Sequence, residues 1–107
     1  MKLLITLTAL VLATATSARA GTDKSQVAEQ LGNLLGSEKA CGLAYNHEAI
    51  EAFIRERIPP TDLDFPALLQ THTWLAHLGI KDMSESSLVA HCYQIRQLAK
   101  EYNLIGK

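Results

Sequence analysis

No catalytic signature is spelled out in these 107 residues. There is no His-Glu-x-x-His, no Gly-x-Ser-x-Gly elbow and no glycine-rich phosphate loop. The two cysteines are not spaced Cys-x-x-Cys, which argues against a thioredoxin-like redox pair and c-type haem attachment. Basic residues never cluster; the tightest grouping is the spaced pair Arg55 and Arg57. The stripe that neutralises nucleic-acid phosphates is therefore missing, as is the polybasic patch that holds an anionic membrane. Strand signals are nearly absent too, with no sustained two-residue alternation and no Asn-Gly or Asp-Gly turn. The expectation is a non-enzymatic protein without cofactor, metal or nucleic acid.

What is present begins with an export pattern. Lys2 precedes an apolar run from Leu3 to Ala15 interrupted only by threonines, and Ala18 and Ala20 stand at the -3 and -1 positions of a signal-peptidase site. The run is shorter than the ~20 apolar residues that span a bilayer. This predicts a signal peptide over residues 1–20, cut after Ala20, and a single domain over 21–107 with no remaining membrane span. The short positive start is of bacterial type and points to the periplasm or the medium. Removing Lys2 and Arg19 leaves eight Lys/Arg against eleven Asp/Glu, a formal net charge of -3. A domain of this size buries only roughly 60–65% of its chain surface, so an added staple is expected.

Helical signals recur along the rest. Asp23 caps a first segment, with Gln26 at the third position and Val27, Leu31, Leu34 and Leu35 on one face. Gly32 and Gly36 weaken it by about 1 kcal/mol each relative to alanine. Their four-residue spacing reads as chance, because that motif's physics belongs to lipid. A short helix is expected from Ser37 through Cys41 to Ala44. Asn46 caps the next, with Ile50, Phe53, Ile54 and Ile58 as its apolar face and Glu51–Arg55 paired on the wet side. Pro59-Pro60 stops it. Thr61, Asp62 or Asp64 caps a third helix with Pro66 in its first turn. Its buried side is expected at Phe65, Leu68, Leu69, Leu75 and Leu78, and Gly79 is expected to stop it. Ser84 caps the last, whose stripe is Leu88, Cys92, Ile95, Ala99 and Tyr102, ending at Asn103 or Gly106. The fold class is all-α, a small bundle of about four helices closed by one disulfide.

Cys41 and Cys92 supply that disulfide: an even count in an exported chain defaults to a bridge. Closing a loop near fifty residues contributes about 4 kcal/mol in the chain-entropy model. His91 sits beside Cys92 but about 100° away on the helix, so it is badly placed to activate the thiol. His72 and His77 are five apart, not the four that two zinc ligands on one helix need. His72 reads as a partly buried core residue with a backbone partner, and His47 has no assigned role. Histidine changes charge between about pH 5 and 8, which leaves an acid response open. Asp62 and Asp64 read as capping residues rather than an acid/base pair. Trp74 lies off the main stripe and reads as a second-layer core residue, the alternative being an exposed anchor for a partner.

The residues Cys41-Gly42-Leu43-x-Tyr45-x-x-Glu48-Ala49-Ile50, Phe65-Pro66 and His91-Cys92-x-Gln94-Ile95 give the chain a resemblance. It resembles a group of short exported alphaproteobacterial proteins, some of which carry the name signal recognition particle. The similarity covers Cys41 to about Ile105. It implies no activity and no site residue. The name does not suit the chain, which has no GTP-binding loop and, after the cut, one methionine, Met83. In architecture alone the chain is similar to the HdeA-type periplasmic acid chaperones, which are small, exported, helical and closed by one disulfide. Two functions follow as expectations: a protein-binding or envelope accessory module, and an acid- or stress-activated chaperone.

Overall fold

Asp23 opens helix α1 (Lys24–Ser37) by accepting a hydrogen bond from the Ser25 amide at 2.9 Å. The computed structural model describes residues 23–106, so the expected signal peptide over 1–20 lies outside the described residues. Three further helices follow: α2 (His47–Arg57), α3 (Phe65–Lys81) and α4 (Glu85–Glu101). Among the described residues there is no strand, and the fold is all-α. Asn46 caps α2 through the Ala49 amide, and Ser84 caps α4 through the Ser87 amide. At the end of α4, Asn103 turns left-handed at φ 61°. Leu104 then donates its amide to Ala99 and Asn103 donates to Lys100, which satisfies carbonyls the helix end leaves open.

Helix α1 is the axis: α3 and α4 pack on it rather than on each other. Val27, Ala28, Leu31 and Leu34 are buried along its inner side with Phe53 and Ile58 below α2, Phe65, Ile95, Ala99 and Leu104. Arg57 lies 3.7 Å above the Phe53 ring, which in turn meets Tyr102 edge-on at 5.0 Å. These contacts tie the end of α2 to the end of α4.

The Gly32/Gly36 pair is not accidental. A Cβ on Gly32 would sit 2.6 Å from His72 Cβ, and one on Gly36 would sit 2.6 Å from the Thr73 carbonyl oxygen and 2.8 Å from Ala76 Cβ. The two glycines let the backbones of α1 and α3 touch, a device that works in water as it does in lipid once tertiary packing brings the helices together. At the opposite end, Lys24 pairs with Asp62 at 3.2 Å, so α1 and α3 run parallel. Helix α4 returns antiparallel, with His91 beside Ser37.

Several sequence expectations change. Gly36 already faces Ala76 and His77, so α3 past that point runs beyond the end of its support. Leu75 and Leu78 are exposed rather than buried, and Trp74 is 58% exposed rather than part of a second core layer. Helix α3 continues through Gly79 to Lys81 instead of stopping there. The short helix expected around Cys41 is a run of turns from Glu38 to Gly42, with Gly42 at φ 65°.

Gly32→Ala is expected to lower stability by about 1–3 kcal/mol through overpacking against α3, despite alanine's better helix propensity. Gly79→Ala, where a Cβ meets nothing within 4 Å, is expected to raise it by about 0.4–1 kcal/mol. Urea unfolding of the two variants measures both, and the same sign for both would contradict this packing.

Candidate functional site

Two features stand out: a brace around the end of α1, and the surface that α3 and α4 leave open beside it. The brace starts with Ser37, which is fully buried. Its hydroxyl lies 2.6 Å from the Asn33 carbonyl oxygen and 2.8 Å from His91 Nε2. A hydroxyl carries one proton and a carbonyl can only accept, so that proton goes to Asn33. Nε2 of His91 must then be the donor to Ser37. A catalytic base takes the proton of its serine; here the imidazole gives one, and the serine is sealed from solvent. The pair is a structural tie.

One residue further along α4, Cys92 bonds to Cys41, with the Cα atoms 5.2 Å apart. Neighbouring residues on one helix therefore grip different parts of the same end: His91 the last turn of α1, Cys92 the turn that follows it. This is why His91 does not face the sulfur. It is half-buried against Ser37, with a defined partner that the sequence alone had left open. Tyr45 completes the brace. Its hydroxyl donates to the Leu34 carbonyl at 2.7 Å, and its amide donates to Glu38 Oε2 at 2.7 Å. Burial, and then the nearby Glu38 carboxylate, pushes the Tyr45 phenol up to about 12. Ser37, Glu38 and Tyr45 escaped the sequence reading. The available signal was the one aromatic of the connection, just before the Asn46 cap.

The aspartates divide their work. Asp64 holds the N-cap position of α3 but makes no side-chain capping bond. Asp62 reaches its amide instead, at 3.2 Å, while paired with Lys24. The Lys24 hydrogen bond first, then its charge and the amides of Asp64 and Phe65, hold the Asp62 carboxyl below its ordinary range against an opposing effect of burial.

On the outer side, α3 and α4 diverge over α1. They leave an open groove of about 510 Å³ with Glu29 and Asn33 at its floor, Leu75 and Ile80 along α3, Met83 in the connection after it, and His91 on the α4 side. His72 lies half-buried in the same groove, with its Cβ over Gly32, and no backbone partner for its ring is found among the described residues. A second hollow, of about 670 Å³, lies across α3 beside Leu35, Ala67, Thr71, Trp74 and His77. The Trp74 and His77 rings are 5.9 Å apart. His47 is exposed on α2, away from both. Among the described residues, no three His, Cys, Asp or Glu side chains gather as a set of metal ligands. No described helix is long and apolar enough to cross a membrane.

No family model matches the chain, and no curated protein and no solved structure matches it either.

A phenol whose folded pKa lies above its unfolded value of about 10 stabilises the fold below pH 10 and loses that contribution as pH rises toward about 12. In an alkaline ultraviolet titration one phenol is expected to ionise only near pH 12, with concurrent loss of helical signal. Tyr45→Phe should remove this late step and cost about 1 kcal/mol for the lost buried hydrogen bond. A wild-type titration without a late phenol would contradict the placement of Tyr45.

Proposed function

We propose that this is an exported, non-enzymatic protein, periplasmic or secreted, that binds an apolar segment of a protein partner in the groove between α3 and α4. One observation carries the reading. A groove of about 510 Å³ presents Leu75, Ile80 and Met83 beside two imidazoles, on a frame braced by a disulfide at its edge. Recognition sites of this volume with apolar walls and a few polar groups are the usual form of a binding cleft. The bracing supports the reading physically. A surface held in its bound shape avoids part of the ordering cost of association. The disulfide also suits an oxidising compartment, in keeping with the signal-peptide pattern over residues 1–20.

Leu75 is 55% exposed, so Leu75→Lys should leave the fold intact while placing a charge in the groove. The expected result is that a partner recovered from the exported fraction by the wild-type protein is lost with Leu75→Lys and kept with Leu63→Lys, at an exposed position outside the groove. Equal recovery by all three would sink the reading.

Acid- or stress-activated chaperoning is the second reading, favoured by His72 and His91 lining the same apolar groove. Imidazole is the side chain whose charge changes on mild acidification. Light scattering of a denaturing client at pH 3 and pH 7 tests it: suppression of aggregation is expected at the acid pH, and none at either pH rejects it.

A further inference from the structure

Asn33 and His91, which line the apolar groove, also line another hollow, of about 300 Å³, between α1 and α4. Gln30, one turn back on α1, and Gln94, one turn on along α4, are its other polar residues, beside Ile95, Leu98 and Tyr102. No Asp, Glu, Lys or Arg lines it, although the chain carries ten basic and eleven acidic residues. Gln30, Asn33 and Gln94 are exposed, and among the described residues their side-chain amides make no hydrogen bond. His91 adds a fourth group. Its Nε2 donates to Ser37, so in the neutral ring Nδ1 is an acceptor, and no described residue takes it up. Three carboxamides and an imidazole acceptor thus share one hollow that opens beside the apolar groove.

A carboxamide presents a donor and an acceptor side by side. Its complement presents an acceptor and a donor at the same spacing. The main chain of an extended peptide does so, because the N–H and C=O of one residue point to the same edge of a strand. An apolar segment laid into the groove carries main-chain polar groups out of water, and each costs free energy unless it is paired. A helix pairs its own. An extended segment must find partners on the surface that receives it. We infer that the segment bound by this protein is extended, with apolar side chains against Leu75, Ile80 and Met83 and its main chain hydrogen-bonded to Gln30, Asn33, Gln94 and Nδ1 of His91. The inference rests on the groove reading and adds the conformation of the partner to it. Recognition then depends on alternating apolar side chains and on main-chain groups, without a charged anchor in the hollow. A saccharide would use the same carboxamides but would leave Leu75, Ile80 and Met83 in water.

Calorimetric titration of the oxidised protein at neutral pH with a capped octapeptide in which leucine and serine alternate tests the inference. Binding is expected, with no gain of helical signal in the circular dichroism of the mixture. Joint substitution of Gln30→Met and Gln94→Met keeps side-chain length but removes the amides, and should weaken binding at least tenfold with the protein's own helicity unchanged. Gln97→Met, at an exposed position on α4 outside the hollow, should leave binding as it is. Binding that survives the joint substitution, or that adds helical signal, overturns the inference. So does equal binding of a neutral oligosaccharide in place of the peptide. If such surviving binding is still lost with Leu75→Lys, the groove reading stands and only the main-chain contacts fall. Absence of peptide binding also overturns the inference, while capture of a partner through Leu75 would keep the groove reading in place.

Discussion

The contact between the backbones of α1 and α3 at Gly32 and Gly36 governs the rest of the molecule. Two missing side chains bring α3 against α1 along a parallel course, anchored at the other end by Lys24 and Asp62. Because α1 stops at Ser37 and α3 does not, the close contact itself carries Leu78 and Met83 past the supported region. The core lies on the other side, under α2, so α3 has only one face to bury. Its opposite face stays in water. The exposure of Leu78 and Met83 thus follows from the length of one helix and the position of two glycines.

Helix α4 is fixed by a different means. Its contact with α1 is less extensive, and chemistry at one end compensates for area. The bridge from Cys92 closes a loop of 51 residues, and such closure contributes about 4 kcal/mol in the chain-entropy model, a large share of the 5–15 kcal/mol that holds a domain together. The donor role of His91 toward Ser37 and the Tyr45 bond to Leu34 sit within the same turn. Cys41, Tyr45, His91 and Cys92 belong to this brace, and Phe65 and Ile95 to the core beside it.

The four helices were legible because their caps and apolar spacings are local. Asp23, Asn46 and Ser84 each accept the amide expected of a cap, and Cys92, Ile95 and Ala99 point inward as their stripe requires. The pairing of Cys41 with Cys92 was legible from the even count and the expectation of export. What failed depended on neighbours. Periodicity places Leu75 and Leu78 on an apolar side of α3, yet it cannot show that α1 ends before reaching Leu78 or that α1 packs on another face of the helix at Leu75. A glycine pair on α1 reads as weakness until the helix that fits against it is known. Gly79, with no left-handed turn to make, is simply passed through. Tyr45 and Ser37 act across the fold, through partners 11 and 54 residues away, and no local pattern announces such bonds.

The left-handed turn at Asn103 has a consequence for the order in which the chain comes together. It aims Leu104 inward, and the Leu104 carbonyl accepts the Asn46 amide at 2.8 Å, at the entrance to α2. Asn46, the cap of α2, is thus latched by a residue 58 positions further on. Contacts of such long range close slowly, because the intervening chain must be gathered first. The second helix can coil early, but it cannot be locked in place until the last turn of the fourth has formed. The latch thus ties the entrance of α2 to the chain that leaves α4.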